Sequence, residues 1–452
     1  MNRYLYRYIC AIMMVLIATA SFAYIWISFV RVNNQTGHLM GLGNIGMALG
    51  IYAFIFVVAG RWMNLFKVGV ERKAKMVASA VITVFSTDVF ELFVSLAITG
   101  QFRFVLQLLW RYAVLAVCQS LVLVLLLIIM IDIYRKIIPP LSLLEIVGVH
   151  DNHLARSING IKYKYSIKET VSYSDPTLES KMGMYDAVLI NDVPAESHNK
   201  IIKKCFEQNM RVYTVPKISD IIIKSSDNIN LVDTPLFLCR NLGIRGWQLA
   251  IKRAADLFFS SLALVVLSPV FLVTALAIKI EDGGPVFFRQ ERVTLNEKRF
   301  MILKFRSMIV DAEKDGRPHP AGENDDRITK VGKVIRACRV DELPQLLNII
   351  KGDMSIVGPR PERWEHVEKF KAEIPEFSYR CKVKGGLTGY AQVYGKYNTN
   401  ALDKLKLDLL YITNYRLLLD VQIVFETVKI LFIKDSTEGF EQNVIESIHD
   451  AD

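Results

Sequence analysis

The sequence predicts a three-part membrane protein. It comprises a four-helix transmembrane bundle (residues 1–138), a parallel, degenerate Rossmann-like α/β domain (139–245) and an α+β domain (246–452) opening with a re-entrant helix-break-helix (251–280). Hydrophobic residues form 52% of the 452-residue chain, and they are concentrated in the first third and in residues 251–280. Between these regions, short apolar runs alternate with amphipathic helical stretches. A chain of this length is expected to form more than one hydrophobic core.

The predicted bundle consists of four apolar stretches. Each approaches the roughly 20 residues that a helix needs to cross a bilayer. The first is too long for the apolar part of a signal peptide and three more follow it, so we interpret it as a retained anchor. The stretches are Ile9–Val30, Leu42–Gly60, Met76–Thr99 and Tyr112–Ile133.

Basic residues predict the orientation of this bundle. Cytoplasmic loops carry an excess of Lys and Arg. Such residues precede the first stretch, separate the second from the third and follow the fourth, which places both ends of the bundle in the cytoplasm. They are Arg3, Arg7, Arg61, Lys67, Arg72, Lys73, Lys75, Arg135 and Lys136.

Two carboxylates lie inside the third stretch. Asp88 and Glu91 are three residues apart and share a helix face. Intramembrane carboxylates are candidates for function. We favour the alternative that they point into the bundle, protonated or paired with Arg111, and do no chemistry.

The middle region has the pattern of a parallel α/β sheet. Glu145–Val149, Tyr185–Ile190 and Arg211–Val215 are typical of strands, and Ser197–Gln208 has helical spacing. The turn after the first strand, Gly148–Asn152, lacks the G-x-G-x-x-G pattern that brings a backbone close to a pyrophosphate. A structural or regulatory module is therefore favoured over a dinucleotide site.

The apolar segment Ile251–Ile280 contains Ser268 and Pro269 near its middle. Proline removes one backbone hydrogen bond and kinks a helix, and serine can bond the freed carbonyl. We favour a segment that enters the membrane and returns, which keeps its cationic ends at the cytoplasmic headgroups, over one that crosses.

Charge and cysteine content restrict the partners. The net charge of +10 suits an anionic lipid or a nucleotide diphosphate. No basic run with interleaved aromatic residues appears, so nucleic acid is not expected. The six cysteines form no C-x-x-C pair, which indicates neither a disulfide framework nor a zinc site and fits a reducing compartment.

The chemistry-bearing residues follow the second apolar segment. Val286–Val293 and Phe300–Met308 predict a hairpin, which carries Lys304 and Arg306. A polar loop (Asp311–Lys330) follows, and then a helical stretch. Arginine binds phosphate oxygens bidentately, and a carboxylate pair can supply a nucleophile or hold Mg²⁺. The candidates in the helical stretch and beyond are Arg336, Arg339, Asp341, Glu342, Pro359, Arg360, Pro361 and Glu362.

Five motifs carry a family resemblance. From Lys252 to about Phe432 the chain resembles the catalytic domain of bacterial sugar transferases, the monotopic-type polyprenyl-phosphate hexose-1-phosphate transferases. The four-span bundle and the α/β domain resemble the long members of this family in architecture alone. The motifs are Lys304–Met308, Asp341–Gln345, Lys351–Ser355, Gly358–Glu362 and Gly386–Val393.

The resemblance implies a two-step transfer. Asp341 would attack the sugar-bearing phosphate of a UDP-sugar, expel UMP and hold a phosphosugar that undecaprenyl phosphate then takes over. Glu342 would act as Mg²⁺ ligand or base, and Asp341 is the second candidate ligand. Arg336 and Arg360, with Lys304 and Arg306, would bind the phosphates, and Arg339 is a further phosphate-binding candidate because of its charge beside the acidic pair. Pro359, Pro361 and Glu362 would shape the site, and Ser268-Pro269 matches the family's re-entrant break.

Two positions depart from the family's usual pattern. Arg339 stands where many members have Ser or Thr, and Tyr390 replaces a common Trp. Near the end, Leu405–Leu419 and Val421–Ile433 are amphipathic. They predict helices that either lie on the membrane surface or pack in the core.

The resemblance implies an enzyme of the inner membrane that starts exopolysaccharide, capsule or O-antigen units, with glucose or galactose as the leading candidates for the hexose. Its implied partners are the UDP-sugar, undecaprenyl phosphate and membrane lipids, and a homodimer is possible. The alternatives are an inactive membrane scaffold or regulator, an NAD-using sugar epimerase or dehydratase, and a nucleotide-binding sensor.

Overall fold

The computed structural model describes residues 3–148, 154–159, 163–239, 243–310, 325–395 and 399–431. The chain forms two compact units, Met1–Val215 and Pro216–Asp452. Three predicted features lie at least partly outside the described residues: the Gly148–Asn152 turn beyond Gly148, most of the Asp311–Lys330 loop, and the end of the last amphipathic stretch.

Four long helices form the first part of the first unit. Each coincides with one of the predicted apolar stretches and begins at or before its first residue. A π-helical turn, Trp26–Val30, continues the first. The helices are α1 (Arg3–Ile25), α2 (Leu42–Trp62), α3 (Lys73–Thr99) and α4 (Val105–Ile137).

The four helices pack around one hydrophobic core. Met14, Phe22, Tyr52, Phe56 and Leu123 are fully buried in it, whereas many large apolar side chains on the outer faces are exposed. An apolar exterior around an apolar core is typical of a helix bundle in lipid. The bundle therefore indicates that the chain is a membrane protein.

Asp88 and Glu91 both point into this bundle, and each is only 2% exposed. The predicted alternative of a pair with Arg111 is not found. The Arg111 guanidinium instead lies over the Phe29 ring, 4.6 Å from its centroid.

The rest of the first unit is a parallel sheet, as predicted, in the strand order β2-β1-β3-β4. We did not predict β2, because its polar, partly exposed residues lack the apolar pattern of a central strand. The elements are β1 (Leu141–Val147), α5 (Leu154–Asn159), β2 (Tyr165–Ser172), α6 (Leu178–Met182), β3 (Ala187–Asn191), α7 (Ala195–Glu207) and β4 (Arg211–Thr214).

The second unit begins earlier than the predicted third domain. Ile221 and Ile244, which we placed in the middle domain, lie in its core beside Phe377 and Leu405. The three-domain division stays a prediction. The first elements of this unit are α8 (Ile218–Lys224), the hairpin strands β5 (Asp227–Leu231) and β6 (Thr234–Leu238), and α9 (Gly246–Asp282).

The second apolar segment is one helix, α9, with no interruption at Pro269. The chain thus stays helical through Ser268-Pro269, and the predicted re-entrant path of this segment stays a prediction. Proline leaves the carbonyl four residues earlier, that of Val265, without its usual donor. The Ser268 hydroxyl donates to that carbonyl at 2.8 Å, so the helix continues.

Five of the described helices are long and apolar enough to cross a membrane, namely α1 to α4 and α9. The fifth, α9, contacts its own unit near both ends. Near its start, Arg253 donates to the Ile349 and Ile350 carbonyls. Near its end, Glu281 accepts from the Lys330 amide and Asp282 pairs with Arg306.

The remaining elements follow α9. The predicted hairpin is confirmed as antiparallel β7 and β8. In chain order they are β7 (Phe287–Val293), β8 (Arg299–Phe305), α10 (Lys330–Ala337), α11 (Gln345–Lys351), β9 (Ser355–Val357), α12 (Trp364–Glu373), β10 (Gly386–Thr388), α13 (Tyr390–Tyr394), α14 (Ala401–Thr413) and α15 (Leu417–Leu431).

The last two helices are those predicted from the amphipathic stretches. Their apolar faces supply core residues, among them Leu409 and Ile412 of α14 and Ile423 of α15. Core packing is therefore the correct alternative for these faces. Leu418 and Val421 on the other side of α15 are exposed.

Candidate active site

The acidic pair lies on a turn between two short helices. We predicted a single helical stretch through Arg336 and Glu342, and this was wrong. After α10 the backbone of Arg339 enters the left-handed region (φ +55°), and a 3₁₀ turn, Val340–Glu342, follows. The left-handed residue ends the helix, whereas Leu343, just before Pro344, keeps α-helical backbone angles. Asp341 and Glu342 thus lie in an irregular segment.

Glu342 is clamped by two cations. Its Oε1 accepts from Lys304 Nζ at 2.9 Å and from Arg360 Nη2 at 2.8 Å. Arg339 lies farther away, with Nη1 3.9 Å from Oε2. Burial acts to raise the pKa of Glu342, but Arg360 and Lys304 outweigh it and hold this pKa well below its usual range. Glu342 is therefore an ionised acceptor.

Asp341 has the opposite environment. No described residue forms a hydrogen bond or an ion pair with its carboxylate. Burial raises its pKa, Lys304 and Arg336 oppose this, and the neighbouring Glu342 charge adds to it. The pKa of Asp341 is thus raised and that of the adjacent Glu342 is lowered, an arrangement that suits groups with different chemical roles.

The four predicted phosphate-binding cations around the pair are brought together. Lys304 and Arg360 contact Glu342, while Arg336 and Arg339 lie close enough to lower the pKa of Asp341. The structure places the fifth, Arg306, elsewhere: it pairs with Asp282 at the end of α9. Its guanidinium packs on Gly284, where a Cβ would lie 2.0 Å from Nη1. We assign Arg306 a structural role.

A buried network of charged side chains holds the Pro359–Glu362 segment in place. Arg380 Nη2 donates to the Arg360 carbonyl at 3.0 Å and lies 2.7 Å from Asp408 Oδ2. Burial raises the pKa of Asp408 to about 6, against the lowering effect of Arg380. Glu362 lies 3.6 Å from Arg380 Nη1. The network fixes the backbone from which Arg360 reaches Glu342.

A close approach of two chain segments explains the glycines of the motifs. The Gly386 amide donates to the Pro359 carbonyl at 2.9 Å. A Cβ on Gly386 would lie 2.1 Å from the Gly358 nitrogen. Only glycine lets β10 lie directly against the segment that carries Arg360.

Our sequence interpretation missed Arg292, Asn348, Arg380 and Asp408. Arg292 on β7 donates to the Pro361 carbonyl. Asn348 binds both the Leu303 amide and the Met301 carbonyl, which fixes β8, and with it Lys304, on α11. One signal was available: Asp408 lies on the apolar face of an amphipathic helix, where a buried charge requires a partner.

The donor set suits Mg²⁺ only in combination with a substrate. No group of three or more His, Cys, Asp and Glu in the described part of the chain could hold a metal. Mg²⁺ often binds one or two carboxylates together with waters and substrate phosphates. Asp341 has no described cation partner, and Glu342 Oε2 has only the long contact with Arg339, so these two carboxylates fit such an ion.

Comparison with known proteins gives the family. The family model described as "Bacterial sugar transferase" matches residues 247–434. A UDP-N-acetylgalactosamine-undecaprenyl-phosphate N-acetylgalactosaminephosphotransferase of Aeromonas hydrophila is 40% identical over 251 residues, covering 54% of this chain and 58% of that protein. A UDP-glucose:undecaprenyl-phosphate glucose-1-phosphate transferase of Klebsiella pneumoniae is 32% identical over 317 residues, covering 68% and 66%.

A shorter relative is matched over nearly its whole length. The exopolysaccharide production protein PSS of Rhizobium leguminosarum bv. phaseoli is 39% identical over 193 residues, which are 40% of this chain and 94% of that protein. The alignments thus span 58% to 66% of the two longer relatives and almost all of the shorter one. With its five motifs in order and the acidic pair among arginines, the chain belongs to the bacterial sugar transferase family.

Proposed function

We propose that this protein transfers a hexose 1-phosphate from a UDP-sugar to undecaprenyl phosphate, releasing UMP, at the cytoplasmic face of the inner membrane. The observation that carries the proposal is the contrast within the acidic pair. Glu342 is held by Lys304 and Arg360, whereas the carboxylate of Asp341 has no described partner. Asp341 is therefore available to react.

The first step is attack by Asp341 on the phosphorus that bears the sugar. A bond forms between a carboxylate oxygen and phosphorus, and the bond to the UMP oxygen breaks, so that UMP leaves with the electron pair. Arg336 and Arg360 lie where they can neutralise the charge on the phosphates. Glu342 holds Lys304 and Arg360 in place until the substrate arrives.

The second step transfers the sugar phosphate from Asp341 to the lipid. An oxygen of undecaprenyl phosphate attacks the same phosphorus, and the Asp341 carboxylate leaves. The product carries the sugar on a diphosphate linkage to the lipid. A covalent intermediate lets a water-soluble donor and a membrane-bound acceptor use one site in turn.

We further propose that Mg²⁺ takes part, held by the substrate diphosphate with Asp341 and Glu342. When bound, the ion would neutralise part of the diphosphate charge. The protein residues retain the roles given above.

A panel of UDP-sugars tests the activity. We expect UMP release from one or a few of UDP-glucose, UDP-galactose and their N-acetyl forms when the full chain, in lipid nanodiscs with undecaprenyl phosphate, is supplied with Mg²⁺. Release of UMP should be accompanied by a radiolabelled sugar diphosphate lipid. Absence of both products with every donor would contradict the proposal.

The membrane placement of α9 is part of the proposal. A straight helix of 37 residues extends about 55 Å, more than the roughly 30 Å of the hydrocarbon core. Yet Arg253 near one end and Asp282 at the other contact the same folded unit. The face between them exposes Val265, Val266 and Val273. These contacts favour a helix that enters the membrane and returns to the same side. They disfavour a helix that crosses the membrane.

Cysteine labelling tests this placement. In a cysteine-free background, Lys351→Cys reports the second unit, Lys200→Cys the α/β domain, and His38→Cys the loop after α1. Both lysine side chains are largely exposed. We expect a membrane-impermeant maleimide to label His38→Cys in intact cells, and the other two only after lysis. Labelling of Lys351→Cys in intact cells would show that α9 crosses.

The raised pKa of Asp341 predicts the pH dependence of UMP release. Because the nucleophile must be ionised, the rate falls as the pH drops through this pKa, and the acid limb lies above the ordinary value of 3.8. Lys304 lowers this pKa, so Lys304→Met should move the acid limb to higher pH. Single-turnover UMP release from pH 4 to pH 8 measures the acid limb of the wild type and that of the variant. A limb that is unmoved, or moved to lower pH, would contradict the assignment.

A further inference from the structure

The membrane bundle contains a buried polar site that the transfer reaction does not use. Tyr52 of α2, Asp88 and Glu91 of α3 and Gln119 of α4 are each at most 2% exposed. Neither carboxyl forms an ion pair with a described Lys, Arg or His. An ionised carboxylate buried without a partner is very costly, and such groups are usually neutralised.

The hydrogen-bond donors of this site fix the orientation of Gln119. Its Nε2 donates to the Ala18 carbonyl at 3.0 Å and to the Ser21 hydroxyl at 2.8 Å. A carbonyl accepts only, so the amide nitrogen must face α1. Its Oε1 then faces the Tyr52 hydroxyl at 3.0 Å and accepts the hydrogen of that hydroxyl.

Tyr52 has two acceptors for one hydrogen. Its hydroxyl lies 2.9 Å from Asp88 Oδ1 and 3.0 Å from Gln119 Oε1, and a phenol can donate to only one of them at a time. Both contacts are hydrogen bonds only when Asp88 carries a proton and donates it to Tyr52, while Tyr52 donates to Gln119.

Glu91 stands one helical turn from Asp88 on the same face. Its Oε1 is buried and has no hydrogen-bond partner among the described residues, and the same holds for Asp88 Oδ2. The other polar groups nearby are neutral: Tyr112 of α4 bonds Ser95 at 2.7 Å. Arg111 is occupied over the Phe29 ring.

We propose that Asp88, Tyr52 and Gln119, with Glu91 beside them, form an exchangeable proton-binding site inside the membrane bundle. In the protonated state Asp88 donates to Tyr52, and Tyr52 donates to Gln119. When the proton passes to bulk water, the Tyr52 hydrogen turns from Gln119 to the Asp88 carboxylate. Because a single hydrogen moves between two acceptors, the contact between α2 and α4 changes with the charge on α3.

A hydrophobic carbodiimide tests the site, because it adds across the O–H of a protonated carboxyl and leaves a stable acylurea. The full chain in lipid nanodiscs is treated with dicyclohexylcarbodiimide from pH 6 to pH 9, and the peptides are analysed by mass spectrometry. Asp132 is the matched control: it lies on the same bundle, is half exposed and pairs with Lys73. At pH 6 we expect Asp88 to be modified at least about tenfold more than Asp132.

The pH series tests exchange. We expect modification of Asp88 to be about tenfold lower at pH 9 than at pH 6. Equal modification of Asp88 and Asp132 at every pH would overturn the proposal, and so would modification of Asp88 that does not change with pH. Suppression by sodium but not by choline at constant pH would show a sodium site instead.

A variant provides an independent readout. In Asp88→Asn the amide can donate the same hydrogen to Tyr52, so the midpoint of thermal unfolding should be retained while the label at this position is lost. Unfolding of this variant together with an unlabelled wild-type Asp88 would show that the native group is ionised.

Discussion

Replacing Asp341 by Asn is expected to lower the rate of UMP release by at least about 10³-fold. The amide keeps the shape of the side chain but lacks the anionic oxygen that would attack phosphorus. Because no described residue forms a hydrogen bond or an ion pair with the Asp341 carboxylate, the substitution should leave folding intact. The measurement is UMP release by the full chain in nanodiscs, alongside the thermal unfolding midpoint.

The control for this variant is Asp326→Asn, the same substitution at an exposed position of the same unit. It should retain activity close to wild type. A second readout separates the two steps: with UDP-sugar but no lipid acceptor, the wild type should release about one UMP per chain and gain the mass of a sugar phosphate on Asp341. Normal release from Asp341→Asn would exclude Asp341 as the nucleophile.

The sequence predicted the elements whose pattern is local. The four apolar helices, the parallel strands and the β7–β8 hairpin follow from periodicity and length. Their bounds differ from the predicted ones most at the helix starts, where α1 begins at Arg3 rather than Ile9 and α4 at Val105 rather than Tyr112. Strand β2 was missed because its polar residues lack that periodicity. Parallel pairing with β1, which no local pattern records, makes it a strand.

The sequence predicted which residues lie at the site but not which of their side chains contact each other. Motifs indicated which cations lie near the acidic pair, yet spacing alone could not show that Lys304 and Arg360 both bind Glu342, since they lie on different elements. Arg306 illustrates the same limit: it is two residues from Lys304 but pairs with Asp282. The left-handed residue Arg339, which breaks the predicted helix, has no sequence signature, because arginine rarely adopts that conformation.

The buried Arg380–Asp408 pair predicts the largest change in stability. Arg380 and Asp408 are only 4% and 1% exposed. Replacing Arg380 by Met leaves Asp408 buried without its cation and removes the donor to the Arg360 carbonyl. Loss of one partner of a buried pair costs about 3–5 kcal/mol. We expect Arg380→Met to lower the unfolding free energy of the second unit by this amount, measured by denaturant titration.

A double variant separates lost charge pairing from lost packing. Arg380→Met with Asp408→Asn removes both charges, so it should recover a large part of the stability. It should not recover UMP release, because the Arg360 carbonyl still lacks its donor and Arg360 is no longer held toward Glu342. The exposed pair Lys200–Glu196 provides the control, since Lys200→Met should leave the stability close to that of the wild type. Full activity in the double variant would show that Arg380 stabilises the fold without positioning Arg360.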